Sequence, residues 1–500
     1  MNLLKNILAV GTVAFLTGCS TPTVVMPEEI DKSTQERILI TTDLEIDDMN
    51  GVILSLMYAD NYDIAGIVWT AGMYHFSGDG GLHTLGEITP HWRCNAMHCG
   101  HTVENAGGLR EYRPVDPTWL PRIMDCYEKD YVLLSKNNPN FPTPDYIRSI
   151  TKVGNIEFEG DYRFETEGSD FIVDCIMDDD MRPLYIQHWG GINTTVRALY
   201  SIYEKYHGTP QWDAVLAKVV AKVRISGSGE DNCRADSKID EMFPGLQSSR
   251  GIMGFGGYGQ FFSAVTAPEE VLPYYQGDYL CDAFKFDHGK LMDQFWLMGE
   301  GRAIYGEPLI YNYGLITYMD WAESARQGWG PEGLLERPRM DFDPYDWMAC
   351  QFGCASFINI GFRKEVNNRA TRNTRILFEE LAARADWAIC EPADCNHAPI
   401  VSAPVLDFTA APGETVRMIG SAVDPEGDKM NVTWWAPGYS ATYKDGKGED
   451  LPVTAVNTWS ADFTVPADAQ SGQIFAVNME VQDIAERPMT RFAQYVITVK

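Results

Sequence analysis

The chain has 500 residues, 45% of them hydrophobic, which is enough for a large core and for two or three domains. A formal net charge of -30 and a pI near 4.6 exclude nucleic acid as a partner, since nothing would offset phosphate repulsion. Lys5, an apolar run over residues 7–15 and Leu16-Thr17-Gly18 directly before Cys19 open the chain. The apolar run is too short to cross a bilayer and ends at a small-residue cleavage site, the pattern of a lipoprotein signal whose Cys19 receives the lipid. The expectation is a bacterial cell-envelope lipoprotein at the outer membrane, facing the periplasm or the outer surface and held by its lipid anchor alone. Residues 1–18 then form the signal and 19–36 a polar tether. Of the eleven cysteines, Cys390 with Cys395 and Cys94 with Cys99 are close enough to close small disulfide loops in an oxidising compartment.

The next stretch, 37–60, reads RILITTDLEIDDMNGVILSLMYAD. Ile38, Leu39 and Ile40 form the continuous apolar run of a buried parallel strand, whereas Met49, Val52, Ile53, Leu56 and Met57 recur at helical spacing. Asp43, Asp47 and Asp48 fall at the turn between them, at the strand's carboxyl end, where open α/β sheets bind ligands. Two readings stand side by side. The carboxylates hold a hard cation such as Ca²⁺ or Mg²⁺, or Asp47 and Asp48 cap the helix and complement its dipole.

A second strand is expected over 64–69, with His75 just beyond it on the same edge. Cys94, His98, Cys99 and His101 sit close enough for a zinc site, against which stands a disulfide-closed surface loop. Residues 80–144, rich in Gly, Pro and aromatics, read as a long irregular insertion that roofs the site. RPLYIQHWGGINTTVRALYSIYEKY is another strand, turn and helix, with Asn193 at the helix start. A further strand over 222–226 ends in an acidic loop with Glu230, Asp231 and Asn232. Beyond residue 398 the texture changes to period-two alternation, as in Phe475, Val477, Met479 and Val481, with the turn DPEGD between runs. That is an antiparallel β-sandwich. Trp434, Trp435, Tyr439 and Tyr443 are candidates for stacking on sugar rings there, unless Trp434 alternates into the core.

The run TTDLEIDD, an acid, three residues and two more acids after a hydrophobic strand, resembles the nucleoside hydrolase signature. Thr41 stands where that family usually carries an acid, and Leu44-Glu45 where it has Pro-Gly. The stretch PTPDYIRSITKVGNIEFEGDYRFETEGSDFIVDCI, the helix TRILFEELAARADWAI and the DPEGD and VTWW pieces resemble the cellulose-binding, nucleoside hydrolase-like family of bacterial exported proteins. The resemblance implies an α/β domain, mostly parallel sheet flanked by helices, over 37–389. A linker over 390–398 and an Ig-like antiparallel β-sandwich over 399–500 follow it.

It also implies a calcium site in which Asp43 is ligand and general base and Asp48 a bidentate ligand, completed by the backbone carbonyl of Asn193. A further acid, Glu307 in preference to Glu300, is the fourth ligand. Asp47, Asp231 and Asn232 would contact the sugar. The activity so implied is hydrolysis of a glycosidic bond, N-glycosyl or related, in a sugar-containing small molecule or polysaccharide. The alternative is non-catalytic binding of cellulose or another polysaccharide.

Overall fold

The computed structural model describes residues 30–35, 37–44, 46–73, 75–92, 106–227, 233, 237–250, 272–275, 277–295, 297–298, 313–314, 375–376, 378–436, 441–446 and 450–500. Among the described residues no helix is long and apolar enough to cross a membrane.

Strand β1 (Arg37–Thr42) leads into helix α1 (Ile46–Met57), which returns the chain to β2 (Asp63–Trp69). Helix α2 (Trp119–Asn137), strand β3 (Thr151–Val153) and helix α3 (Glu167–Met177) follow. Then come β4 (Leu184–His188), α4 (Asn193–Tyr206), α5 (Trp212–Lys222), β5 (Val223–Gly227) and β6 (Gln247–Arg250). The six strands pair in parallel in the order β3-β2-β1-β4-β5-β6. This is a doubly wound sheet, and its winding reverses between β1 and β4.

Period-two alternation sends side chains to opposite faces of the sheet. Ile38, Ile40, Ile64 and Ile67 pack with α1, α2 and the helix over 378–386, whereas Leu39, Val68, Ile186 and Ile225 pack with α3, α4 and α5. Both faces are covered, which is why the strands read as unbroken apolar runs.

The expectation of irregular structure across 80–144 is corrected by α2. Its Leu120, Ile123, Met124, Tyr127 and Leu134 recur at helical spacing and are buried. Pro121 lies in the first turn, where a missing N–H costs nothing. The Gly- and Pro-rich flanks hide that period.

Beyond residue 398, strands Asp407–Ala410, Thr490–Val499, Ile474–Asp483 and Met430–Trp435 form a four-stranded sheet. Thr415–Ile419, Ser460–Thr464 and Val453–Asn457 form a three-stranded one. The two enclose a core of Val416, Met418, Phe463, Phe475, Val477, Met479, Tyr495 and Ile497. The sandwich departs from strict antiparallel pairing in that Asp407–Ala410 runs parallel to Thr490–Val499.

The tryptophan pair divides between two cores. Trp434 packs against the sandwich interior with its ring 5.4 Å from Tyr495, while Trp435 turns to the α/β domain and donates its indole N–H to Glu480 at 3.0 Å. Tyr443 is buried and donates to Asp468, and Tyr439 lies outside the described residues. Trp435 and Tyr443 are thus withdrawn from any sugar-stacking platform.

Segment 390–398 is built into the domain interface. A Cys390–Cys395 disulfide closes its first loop, whereas Cys94, His98, Cys99 and His101 lie outside the described residues. Asn396 Nδ2 donates to Asp483 at 3.0 Å, and His397 is held between Glu426 (2.7 Å) and Asn137 (3.0 Å) while stacked on Trp387. Asp483 is 1% exposed and, among the described residues, accepts from neutral donors, the Asn396 amide and the Met489 N–H. Burial, with Asp424 and Glu380 adding to it, pushes its carboxyl up to about 7.

A carboxyl whose pKa is raised on folding contributes stability that is fully present below its unfolded value and is lost as pH rises through its folded value. Asp60, Glu379 and Asp424 are shifted in the same direction, each chiefly by burial. The melting temperature is therefore expected to fall as pH rises from about 4 to about 7. Asp483→Asn should flatten that slope, and an unchanged slope in differential scanning calorimetry would refute the assignment.

Candidate functional site

Asp43 leaves β1 at the point where the winding of the sheet reverses, and it is 2% exposed. Two glycines make room for it. A Cβ on Gly72, just past β2, would lie 1.6 Å from Asp43 Oδ2, and one on Gly190, just past β4, would lie 2.9 Å from Asp43 Cγ. Each position is closed to any side chain by contact with the carboxylate. The two loops are joined in turn, because Gly191 N–H donates to the Ala71 carbonyl at 2.9 Å.

The turn after Asp43 is held by Asp48. Its Oδ2 accepts the Thr42 hydroxyl at 2.8 Å and the Asp43 N–H at 3.1 Å, and Leu44 N–H donates back to Thr42 Oγ1 at 3.1 Å. Leu44 therefore sits at φ 61°, a left-handed conformation uncommon for a branched residue, with its side chain buried in the core. Glycine would relax this backbone, and Leu44 offsets the strain by burial. Asp48, in the first turn of α1, thus ties the start of the helix back to the end of β1. Asp47 is in the first turn of α1, but its side chain lies outside the described residues, as do Asp231, Asn232, Glu300, Glu307 and Cys19.

Asn193 opens α4 and is fully buried. Its Nδ2 donates to the carbonyls of Asn155 (2.8 Å) and Asp161 (3.2 Å), while its Oδ1 accepts from Thr70 Oγ1 (3.0 Å). Thr194 adds a bond from Asn155 N–H at 2.9 Å. These side chains lock the loops after β2, β3 and β4 to one another at the carboxyl edge. His75 belongs to the same edge, with its carbonyl accepting Gly72 N–H and its Nδ1 against the Arg113 carbonyl.

One carboxylate escaped the sequence reading. Glu159 is fully buried, and its Cγ lies 3.2 Å from where a Cβ on Gly191 would stand, so Asp43 and Glu159 flank consecutive glycines. In sequence it was one acid among several in GNIEFEGDY. Only the Gly190-Gly191 turn, read as a place of close approach, pointed to it. Glu157 on the same loop is shifted upward by burial and then by Asp161 and Asp79, which marks an edge crowded with negative charge.

Hard oxygen donors suit calcium or magnesium, and Asp43 and Asp48 supply them in kind. Among the described residues no group of three or more acid, histidine or cysteine side chains converges to hold a metal.

This edge, on this strand order, is matched in sequence by a described family. The cellulose-binding Sde182, nucleoside hydrolase-like domain covers residues 37–330. The chain belongs to that family. The C-terminal domain of the cellulose-binding Sde0182 family matches residues 415–499, so both parts of the cellulose-binding Sde182 architecture are present. A solved structure, a nucleoside hydrolase-related hypothetical protein from Saccharophagus degradans that is associated with carbohydrate metabolism, shares the fold with a TM-score of 0.62 at 20% identity. The match covers 93% of this chain and all of that one. No curated protein matches. The nucleoside hydrolase-like fold thus belongs to residues 37–330, and the C-terminal domain of the same family to residues 415–499.

Proposed function

We propose that this is a lipid-anchored envelope protein whose Asp43 site engages a saccharide through calcium and hydrolyses a glycosidic bond. The observation that carries the reading is the Asp43 carboxylate, buried at the sheet's switch point between two glycines that admit no side chain. A carboxylate fixed by that much surrounding backbone is pre-organised, as a general base must be. Family membership in a cellulose-binding, nucleoside hydrolase-like group supports a polysaccharide or other sugar-containing partner.

Calcium, when bound, would supply coordination to vicinal sugar hydroxyls and to one water. Asp43 would hold the metal together with Asp48 and accept the proton from the attacking water. Asp48 would keep the turn rigid through Thr42 and the Asp43 N–H. The surrounding carboxylates, Glu159 among them, would favour the oxocarbenium-like charge that develops on the sugar.

A second reading, binding without turnover, is favoured by the commitment of Asp48 Oδ2 to two hydrogen bonds within the turn. Incubation with nucleosides and with cello-oligosaccharides, followed by chromatography, separates the two. Hydrolysis is expected in the wild type and is expected to fall by at least about a hundredfold in Asp43→Asn. Retention of an intact oligosaccharide, with no product from any substrate, would move the assignment to binding.

A further inference from the structure

Residues 30–35 are bound to the amino-terminal edge of the six-stranded sheet. Ile30 N–H donates to Asn140 Oδ1 at 2.7 Å in the turn after α2, and Gln35 Nε2 donates to the Asp60 carbonyl at 2.8 Å in the turn after α1. Arg182, just ahead of β4, donates to the carbonyls of Lys32 (2.6 Å) and Gln35 (3.0 Å). Asp43 is at the opposite edge, roughly 20 Å away along the six residues of β1 at ~3.3 Å each. Residues 19–29 reach at most about 40 Å between Cys19 and Ile30. A folded chain of 500 residues is about 60 Å across, so a lipid on Cys19 holds the amino-terminal edge, not Asp43, near the bilayer.

The surface beside this anchor point is apolar. Ile30 lines an interdomain cavity together with Pro399, Ile400 and Pro425 of the sandwich. Strand Ile400–Ser402 pairs antiparallel with Ser421–Val423, Ile400 opposite Val423 and Ser402 opposite Ser421. All four side chains face solvent, Ile400 at 48% and Val423 at 63% exposure, whereas Val401 packs into the sandwich core. Neither strand carries a charged residue, on a chain of net charge -30. Asp424, next after Val423, is buried and accepts the N–H groups of Glu426 and Asp428, and Glu426 is held by His397.

An anionic lipid surface repels acidic faces within a Debye length. The loop carrying Glu157, Glu159 and Asp161 puts such a face at the Asp43 edge. An uncharged ribbon with two exposed aliphatic side chains meets no such repulsion. Those side chains alone are too few to hold a free protein on a bilayer, but an anchor makes the contact intramolecular, and a weak contact is then enough to orient the molecule.

We propose that the ribbon Ile400–Ser402 and Ser421–Val423 rests on the lipid surface, and that the Asp43 edge faces away from it. The inference rests on the lipid-anchored reading and goes beyond it by assigning the face that meets the bilayer. The Asp43 site is then open to substrate arriving from the side away from the membrane.

The test places the full lipidated chain on vesicles of phosphatidylethanolamine and phosphatidylglycerol that contain an acceptor-labelled lipid. A fluorescent donor side chain is introduced at Met181, exposed beside Arg182 at the amino-terminal edge, or at Leu82, exposed on the loop after β2. Energy transfer from Met181 is expected to exceed that from Leu82 by at least about twofold, because the two edges stand ~20 Å apart. Val423→Glu should bring the two signals toward equality while the protein stays on the vesicles and its melting temperature in detergent is unchanged. The double substitution Ile400→Ser with Val423→Ser should act in the same sense, and it serves if the glutamate perturbs folding. Equal transfer from both positions in wild type, greater transfer from Leu82, or an unchanged difference in both ribbon variants would each overturn the proposal. A dimer in solution that the ribbon variants dissolve would give the ribbon to a second copy of the chain and overturn it as well. Absence of lipid on Cys19 by mass spectrometry would count against the anchored reading instead, and the same chain held by an amino-terminal hexahistidine on nickel-chelating lipid would still report which face meets the bilayer.

Discussion

Arg384→Ala is expected to lower the free energy of unfolding by roughly 3–5 kcal/mol, the cost of stranding a buried charge. Arg384, Asp60 and Glu380 have side chains that are 1%, 0% and 0% exposed, so nothing in solvent replaces the lost guanidinium. Glu380 keeps Arg491, but Asp60 is left with the Asn138 amide and the Gln35 contact to its backbone. Arg384 also stacks over the rings of Tyr58 at 4.2 Å and Trp387 at 4.9 Å, contacts that alanine loses as well. Because the network joins helix 378–386 to both α1 and the sandwich, the urea transition should move for both domains together. Adding Asp60→Asn should restore part of the loss by removing the unpaired charge. A shift of less than about 1 kcal/mol in the single variant would mean that water enters the interface and solvates Asp60.

Gly72→Ala is expected to be nearly as damaging to function as removal of Asp43 itself. The added methyl would stand 1.6 Å from Asp43 Oδ2, so the carboxylate, the loop or both must move. Overpacking of this kind costs about 1–3 kcal/mol in stability. The larger effect is on geometry, since displacement of a reacting group by ~1 Å can cost about a hundredfold in rate. Gly108→Ala is the control, because a Cβ there meets nothing within 4 Å. Saccharide turnover in Gly72→Ala equal to that of Gly108→Ala would remove Asp43 from the site.

The sheet's central strands were legible because burial on both faces writes them as apolar runs, as in Ile38-Leu39-Ile40. The sandwich was legible because one buried face per strand writes alternation, as in Phe475, Val477 and Met479. Asp43 stood out because a carboxylate at the end of a strand has no capping duty, whereas Asp48 kept two readings, and its bonds to Thr42 and the Asp43 N–H give it a structural one.

Other features had no such signature. Strand β3 is three residues long, Thr151–Val153, too short to show any period. The role of Gly72 depends on which strand neighbours β1, information carried by tertiary pairing alone. Glu159 is one acid in an acidic loop until the fold sets it against Gly191, the residue after the glycine that faces Asp43. The segment 390–398 had the composition of a linker, yet Asn396 and His397 find partners on both domains, and residues that bridge two surfaces carry no periodic mark.

Calcium-dependent thermal stability tests the central claim most directly. An ion that binds only the native state stabilises it by mass action, by ~2.7 kcal/mol when it is present at about a hundred times its dissociation constant. Wild type is expected to melt at a higher temperature in excess calcium than in chelator. Asp43→Asn and Asp48→Ala should melt at the same temperature in both, although Asp48→Ala starts lower because it also loses its bonds to Thr42 and the Asp43 N–H. A wild-type melting curve indifferent to calcium and to magnesium would contradict the metal, and with it the hydrolytic role assigned to Asp43.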